Sequence, residues 1–598
     1  MSEIAITPAA ATASDSQSGV SSSQSFPIAY DVAAILALSI AVFFFHLGSY
    51  GLWEPDEGRY AEIAREMLRG GSKIIPHLNY VAYVEKPPLL YWLTTLSFAV
   101  FGLTEFAARF TVAMSALAGV LATYFFALRT FGRRHAILAS AILATTPIYA
   151  VMAQVLTTDM LLTALVTIAN FALFLHWRGD AGSRWCWIAY AAMGLAVLAK
   201  GPVGVALPIL SMLAFLAWRG ELRGALGKFR AFAGLAITVA IALPWFVAIT
   251  IMEPGFFDFY FVGEHLRRIF DSSYSHTEPI YFYLPVLALG LIPWSMLVPF
   301  MTWRDAQKNP ARTFCLTAAM VTLVAFSCAS AKLIPYILPA IPPLAILIAD
   351  GLISCAWPAP DSRAAHRPPD SRILLESGPL LMLFGAGVIV AAILAPQFRT
   401  PYVMAARPAM FLIGAVLLIG GGVTTAIFLR RRRGAGLVAL TLTLASALIA
   451  GGWVRLETES LRSYASLARA VAARAPDARL ICYHRYVQSL AFYTGRRVIL
   501  VGPKSELDFG ARHAADTADW FFNNDLQLLE LWERPGSTVL VIDAPELARL
   551  KERLGAFDLI ASEGKKRAIL RHRLSASTAA ATDLLGARYP TRASRLIN

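Results

Sequence analysis

Six charged side chains, Glu54, Asp56, Glu57, Arg59, Glu85 and Lys86, fall in the first polar loop of a chain that is otherwise overwhelmingly apolar. A carboxylate can orient an attacking group or take its proton. Guanidinium and ammonium groups can hold an oxyanion through several hydrogen bonds. The charges sit in Gly51-Leu-Trp-Glu-Pro-Asp-Glu-Gly-Arg-Tyr60 and, after an amphipathic run to Gly71, in Tyr83-Val-Glu-Lys-Pro-Pro88. Pro55 suits the first turn of a helix, Asp56 and Glu57 its positive N-terminal end, and Gly70-Gly71 its stop. Tyr60, Ile63, Ala64, Met67 and Leu68 then make one apolar stripe, with Glu62, Arg65, Glu66 and Arg69 on the opposite face. On spacing alone two readings stand side by side: a helix lying on a membrane surface with its capping acids, and a reaction site at the head of that helix.

The elements that must position these groups are membrane spans. Of 598 residues 57% are hydrophobic and 15% charged, and the mean hydropathy is +0.57. Apolar runs recur from Tyr30 to Val454 at about 18 to 22 residues, the length that crosses a hydrocarbon core as a helix. The short alternating segments of a membrane barrel are absent. The expected class is a polytopic α-helical membrane protein. Basic residues cluster at Arg129–Arg134, Arg178–Arg184, Arg219–Arg230, Arg304–Arg312, Arg363–Arg372 and Arg430–Arg433, and the positive-inside rule makes these loops cytoplasmic. The net charge of +14 is thus a matter of orientation rather than of nucleic-acid binding. Alternate loops face outward, beginning with 48–87, and about thirteen spans result, with Pro88–Gly102 short enough to lie along the interface instead.

The domain reading is a disordered tail over 1–29, a membrane domain over 30–454, a small outward α/β domain over 455–575 and a loose end over 576–598. In the α/β domain, Arg479–His484, Arg497–Val501, Thr538–Asp543 and Ala568–His572 read as strands, and Val487–Tyr493 and Pro545–Leu554 as helices. Five scattered cysteines imply neither a metal motif nor a disulfide framework.

The string Leu-Trp-Glu-Pro-Asp-Glu-Gly-Arg-Tyr-Ala-Glu-Ile, then Ile75-Pro-His77, Glu85-Lys-Pro87, Tyr91-Trp92, Glu264-His265-Leu-Arg-Arg268, Ile280-Tyr-Phe-Tyr-Leu-Pro285 and Lys332-Leu-Ile-Pro-Tyr-Ile-Leu-Pro339 resembles the polyprenyl-phosphate-dependent membrane glycosyltransferases. Within them it is most similar to the lipid A 4-amino-4-deoxy-L-arabinose transferases and, more broadly, to the protein O-mannosyltransferase-related group. The resemblance covers about the first 350 residues. It implies a GT-C-like fold, a bacterial inner-membrane location with the site facing the periplasm, a polyprenyl (undecaprenyl) phosphate sugar as donor, and an envelope acceptor: lipid A, another glycoconjugate or a protein hydroxyl. Two departures leave sugar and acceptor open. Gly58 stands where the aminoarabinose enzymes usually carry a small hydroxyl residue, and Thr157-Thr-Asp159-Met-Leu is nearer the general family.

An outward site has no access to cytoplasmic nucleotide sugars, so no nucleotide cofactor is expected. The leaving phosphate departs as an anion and calls for cations: Arg59, Lys86, Arg267 and Arg268. Asp56, by its place in the motif, is the acceptor-side carboxylate of a direct, inverting displacement, with Asp159 as a second acid at the outer end of a span. Glu57 stays open between metal, sugar and helix end. Tyr83, Tyr336 and Lys332 are pocket candidates, although outer-end lysines such as Lys332 and Lys200 can also simply snorkel. Glu85 and His265 could share a divalent metal such as zinc, with His276 as a third ligand. The reading from a different class is a transporter or flippase, which would place acids and broken helices near the midplane of two related halves.

Overall fold

The computed structural model describes residues 28–180, 182–267, 278–297, 309–356, 372–398, 400–514 and 516–571. The terminal segments expected to be loose, 1–29 and 576–598, lie outside the described residues except for Ile28 and Ala29. Among the described residues eight helices are long and apolar enough to cross a membrane: Glu105–Thr130, Thr158–Arg178, Ala231–Met252, Pro310–Cys328, Ile334–Ser354, Leu374–Gln397, Pro401–Leu429 and Arg433–Glu457. Three shorter apolar helices, Ile28–Phe43, Leu89–Phe101 and Val203–Arg219, accompany them. The sequence count of about thirteen also took in runs that the structure divides. One is split ahead of Pro147 into Arg133–Ala144 and Pro147–Met152, as a ring that clashes with the preceding turn requires.

Eight elements at the N-terminal side carry the rest of the account: α1 (Ile28–Phe43), α2 (Asp56–Leu68), α3 (Leu89–Phe101), α4 (Glu105–Thr130), α5 (Arg133–Ala144), α6 (Pro147–Met152), α7 (Thr158–Arg178) and α8 (Arg184–Lys200). Local chemistry sets their limits. The Thr104 side chain caps α4 by accepting from Ala107 N at 3.1 Å. In α7, Asp159 lies in the first turn and Arg178 in the last, each matched to the helix dipole. Gly179 closes α7 in the left-handed region at φ 91°, where a residue without Cβ costs least.

Charge collects at the two ends of this helical body. At one end Asp31 pairs with Arg133 Nε at 2.5 Å, and Asp350 pairs with Arg312 Nη2 at 2.5 Å and His135 Nε2 at 3.5 Å. The opposite ends of α1 and α4 meet the first loop and the C-terminal domain, where Tyr493 donates to Glu105 at 3.0 Å.

The C-terminal domain carries a six-stranded sheet in the order β5-β4-β3-β6-β8-β7. Its strands are β3 (Arg479–Tyr483), β4 (Ile499–Val501), β5 (Phe521–Phe522), β6 (Thr538–Asp543), β7 (Asp558–Glu563) and β8 (Lys566–Arg571). The first four run parallel, in registers such as Ile481 opposite Ile499 and Leu480 opposite Val539, and β8 returns antiparallel on β6. Two strands escaped the sequence reading. The two residues of β5 give no period to read, and β7 (Asp-Leu-Ile-Ala-Ser-Glu) buries only Ile560.

The first loop lies between the membrane body and this domain, and its short hairpin β1 (His77–Leu78) and β2 (Val81–Ala82) is held by it. Asn79 donates to Val498 O at 2.9 Å and accepts from Val498 N at 2.9 Å. Glu54 N donates to Arg462 O at 3.0 Å and Leu52 N to the Tyr493 hydroxyl at 2.8 Å. Helix α2 packs against α3 on one side and the helix Gln488–Thr494 on the other. The face expected to meet water or headgroups is therefore interior: Glu62, Arg65 and Glu66 are buried along with Ile63 and Ala64, and Arg69 alone of that polar face is exposed.

Candidate active site

Helix α2 begins where an exposed carboxylate is needed. Asp56 is its first residue and its side chain is 52% exposed, at the positive end of the dipole. One turn on, Arg59 donates Nη1 to Asp56 Oδ1 at 3.1 Å and pairs through Nη2 with Glu506 of the C-terminal domain. The same guanidinium lies 6.0 Å from the ring centres of both Tyr60 and Tyr83. Arg59, expected as a donor-side cation, thus arrives with two carboxylates already at its fork. Tyr83 donates to Glu85 Oε2 at 2.9 Å, and Lys86 follows in the same bend, half-buried.

A second arm comes from the spans. Asp159, in the first turn of α7, pairs with Lys200, the last residue of α8. The Lys200 ammonium stands 4.3 Å over the Tyr336 ring. Lys200 is thus engaged within the protein. Its partners are the acid and the aromatic that sequence reasoning had placed in the site separately.

Tyr60 joins the arms. It is buried, its ring centre is 5.8 Å from that of Tyr91, and its hydroxyl is pushed well above the ordinary phenol range. Burial is the main cause. Asp56 pushes the same way, Arg59 opposes, and Asp159 and Glu85 add to the rise. Carboxylates from the head of α2, the head of α7 and the loop after β2 thus all act on one phenol. Tyr60 escaped the sequence reading because its place in the apolar stripe explained it fully.

Other expected residues lie elsewhere. Glu57, read as a metal, sugar or helix-end group, turns into the core: both carboxylate oxygens accept from Arg109 (2.8 and 2.7 Å), and the backbone N–H groups of Leu156 and Trp53 complete the set at 3.0 Å each. It is 1% exposed and does not border the open ground beside Asp56. Lys332 is buried with its ammonium on the Glu278 carbonyl at 2.7 Å. The π-helix Asp258–Arg267 carries His265 and Arg267, whose side chains lie outside the described residues, as do Arg268 and His276 altogether. Among the described residues no three His, Cys, Asp or Glu side chains gather to hold a metal ion.

Gly58 also gains a reason. A Cβ there would stand 2.8 Å from Ser489 N and 3.1 Å from Glu54 Oε1, and Ser489 N donates to that same oxygen at 2.8 Å. The bare backbone of Gly58 lets the helix Gln488–Thr494 close onto the motif. A side chain at 58 would push it away.

Comparisons with known proteins agree on one group. Residues 85–247 match the dolichyl-phosphate-mannose-protein mannosyltransferase family and residues 467–571 the aminoarabinose transferase C-terminal domain. The chain is 30% identical over 525 residues to an undecaprenyl phosphate-alpha-4-amino-4-deoxy-L-arabinose arabinosyl transferase of Pectobacterium carotovorum subsp. carotovorum, covering 85% of this chain and 92% of that one. To the protein of the same name from Yersinia pestis it is 33% identical over 340 residues, 54% of this chain and 60% of the relative. The crystal structure of ArnT from Cupriavidus metallidurans bound to undecaprenyl phosphate superposes with a TM-score of 0.80 at 26% identity, over 90% of this chain and 97% of that one. The apo form of that protein gives the same TM-score at 25% identity.

Proposed function

The chain belongs to the undecaprenyl phosphate-aminoarabinose arabinosyl transferase family, and from that premise we propose that it moves 4-amino-4-deoxy-L-arabinose from undecaprenyl phosphate to lipid A at the periplasmic face of a bacterial inner membrane. The observation that carries the reading is the gathering of Asp56, Arg59, Tyr60 and the Asp159–Lys200–Tyr336 group at one end of the helical body. The orientation is supported by the Arg133 and Arg312 pairs at the other end, where basic residues belong on the cytoplasmic side.

In this reading Asp56, exposed and held by one arm of Arg59, faces the acceptor. If the attacking oxygen is a hydroxyl, Asp56 takes its proton. If it is a phosphate oxygen, already anionic, Asp56 orients it. Attack at the anomeric carbon breaks the bond to the carrier phosphate and inverts that centre. The leaving phosphate keeps the bonding electrons, so cations rather than a general acid stabilise it. Lys86, Arg267 and Arg268 are assigned to that charge; Glu85 and His265 would be the residues to hold a divalent metal, which when bound would supply further positive charge for the leaving phosphate. Lys200, neutralised by Asp159 and stacked on Tyr336, is set to orient the sugar.

The test is transfer in membrane vesicles supplied with the donor, followed by mass spectrometry of lipid A. Asp56→Asn should lower the rate by about 10²- to 10⁴-fold, the usual contribution of a positioned acid or base, with melting unchanged because the side chain is half exposed. Retained turnover would remove Asp56 from the role. Product on a protein or another glycan in place of lipid A would reassign the acceptor.

A further inference from the structure

We propose that the crevice at the carboxyl ends of β3 and β4, closed over by the head of the first loop, binds the phosphate-bearing saccharide of the membrane-anchored acceptor. This rests on the transfer reading above and adds a second contact for the substrate that reading names. In open α/β sheets the ligand crevice lies beyond the carboxyl ends of the parallel strands, where the strand order reverses. Here that reversal falls between β3 and β6, and the crevice lies on the β3 side of it. Residues just past β3 (His484, Arg485) and just past β4 (Lys504, Ser505) line a cavity of ≈ 480 Å³, within the range of small-ligand sites.

The backbone is shaped for it. His484 adopts φ 58°, and its N–H donates to Val501 O at 2.7 Å. The strands approach so closely that a Cβ on Gly502 would stand 2.9 Å from His484 Cα. Backbone of this kind is uncommon for a residue that carries a side chain.

The remaining wall comes from Glu54 and Pro55 of the first loop, next to Asp56, from Tyr402 of the membrane domain and from Arg462 just beyond its last span. Tyr402 opens the span Pro401–Leu429, and Arg462 follows the last span Arg433–Glu457. The crevice therefore opens where a headgroup anchored in the membrane can reach it, beside the proposed acceptor-side carboxylate.

Its chemistry is anionic recognition. Among the described residues Arg462, Arg485 and Lys504 have no carboxylate in salt-bridge contact; they rest on aromatic faces instead, Arg462 at 4.8 Å from Trp53, Arg485 at 5.4 Å from Tyr464 and Lys504 at 5.6 Å from Phe521. The two carboxylates on the wall are engaged. Glu506 takes Arg59 and Gln488 Nε2, and Glu54 takes Ser489 N. Buried polar atoms also wait without a partner among the described residues: the Tyr486 hydroxyl, Glu54 Oε2 and Arg59 Nε. Tyr486 is 6% exposed. Cations outside salt-bridge contact, together with unfilled hydrogen-bonding atoms, suit phosphate and sugar hydroxyls.

The experiment uses the full chain in lipid nanodiscs and the double variant Arg485→Gln/Lys504→Gln. With lipid A carrying two phosphates, the acceptor KM should rise about tenfold, the scale of one or two lost charge-assisted contacts. The donor KM and kcat should stay within about twofold, and the preference over monophosphoryl lipid A should vanish. Arg485→Lys/Lys504→Arg should restore the acceptor KM, which a merely misfolded variant would not allow. A fall in kcat with the acceptor KM unchanged, or a parallel rise in the donor KM, overturns the proposal. In a second arm, inorganic pyrophosphate is titrated calorimetrically into donor-free protein. Binding should be lost in the Gln variant, and equal binding by both proteins also overturns the proposal. If the unmodified protein transfers nothing to lipid A while this arm still separates the two proteins, it is the acceptor assignment that fails and not the crevice.

Discussion

Glu54 and Asp56 stand two residues apart and meet opposite surroundings. Asp56 faces the open ground at the helix head. Glu54 is enclosed against Ser489, and burial pushes its carboxyl up to about 7, with the hydrogen bonds from Ser489 and the Arg485 charge pulling back. Between the ordinary value of 4.5 and about 7 the folded protein keeps a proton that the unfolded chain has released. Stability tied to Glu54 is therefore fully present below that window and is lost as pH rises through it. Glu54→Gln should melt a few degrees above the unmodified protein at pH 8 and level with it at pH 4; curves offset equally at both would count against the buried proton. Nothing in the spelling Glu-Pro-Asp-Glu separates these acids, since burial by a segment more than four hundred residues away decides which is free.

At the scale of the element, α2 is a joint rather than a surface helix. Its N-terminal turn is bolted to α4 by the Glu57–Arg109 pair, both members essentially without exposure. Arg109 also donates to the carbonyls of Leu47, Tyr50 and Gly51 and lies 3.7 Å from the Tyr50 ring centre. Such a pair need not add net stability, but breaking one side leaves a charge buried alone. Glu57→Ala should therefore cost about 3 to 5 kcal/mol, read as a lowered midpoint in thermal melts. A variant that melts normally but loses turnover would return Glu57 to the chemistry. The next turns hold a second network, in which Arg65 makes two bonds to Glu62 at 2.6 and 2.7 Å and Glu66 receives Tyr80 N at 3.1 Å. The periodicity of α2 was legible because it follows from the helix repeat. The fate of its polar face was not, because the covering helix Gln488–Thr494 is distant in the chain.

At the scale of the molecule, the C-terminal domain acts as a clamp on the first loop. Asn79, 0% exposed, stands in for a strand neighbour by bonding both the N–H and the C=O of Val498, and Gly510 lies so near β2 that a Cβ would stand 2.3 Å from Ala82 O. Asn79→Leu leaves two buried backbone groups unpaired at about 1 to 3 kcal/mol each. It should speed hydrogen exchange across 72–86 and lower turnover while α4 and α7 stay protected. Exchange that rises everywhere at once would indicate global destabilisation instead of a released loop.

The sequence by itself determined the helical membrane class, the placing of the charged motif in the first polar loop and most of the α/β domain. Each of these is local: a hydrophobic run long enough to span, a charge bias between loops, a period of two or of 3.6. It also carried the family, since Trp53 to Tyr60 and Glu85 to Pro87 are short contiguous strings. Only the tertiary structure decided that Asp159 belongs to Lys200, that Tyr60 lies at the meeting of both arms, that Glu57 pairs with Arg109 in the core and that Arg59 reaches Glu506. Those are contacts between segments far apart in the chain, and whether a charge is buried, paired or free depends on its neighbours in space, which no spacing along the chain can state.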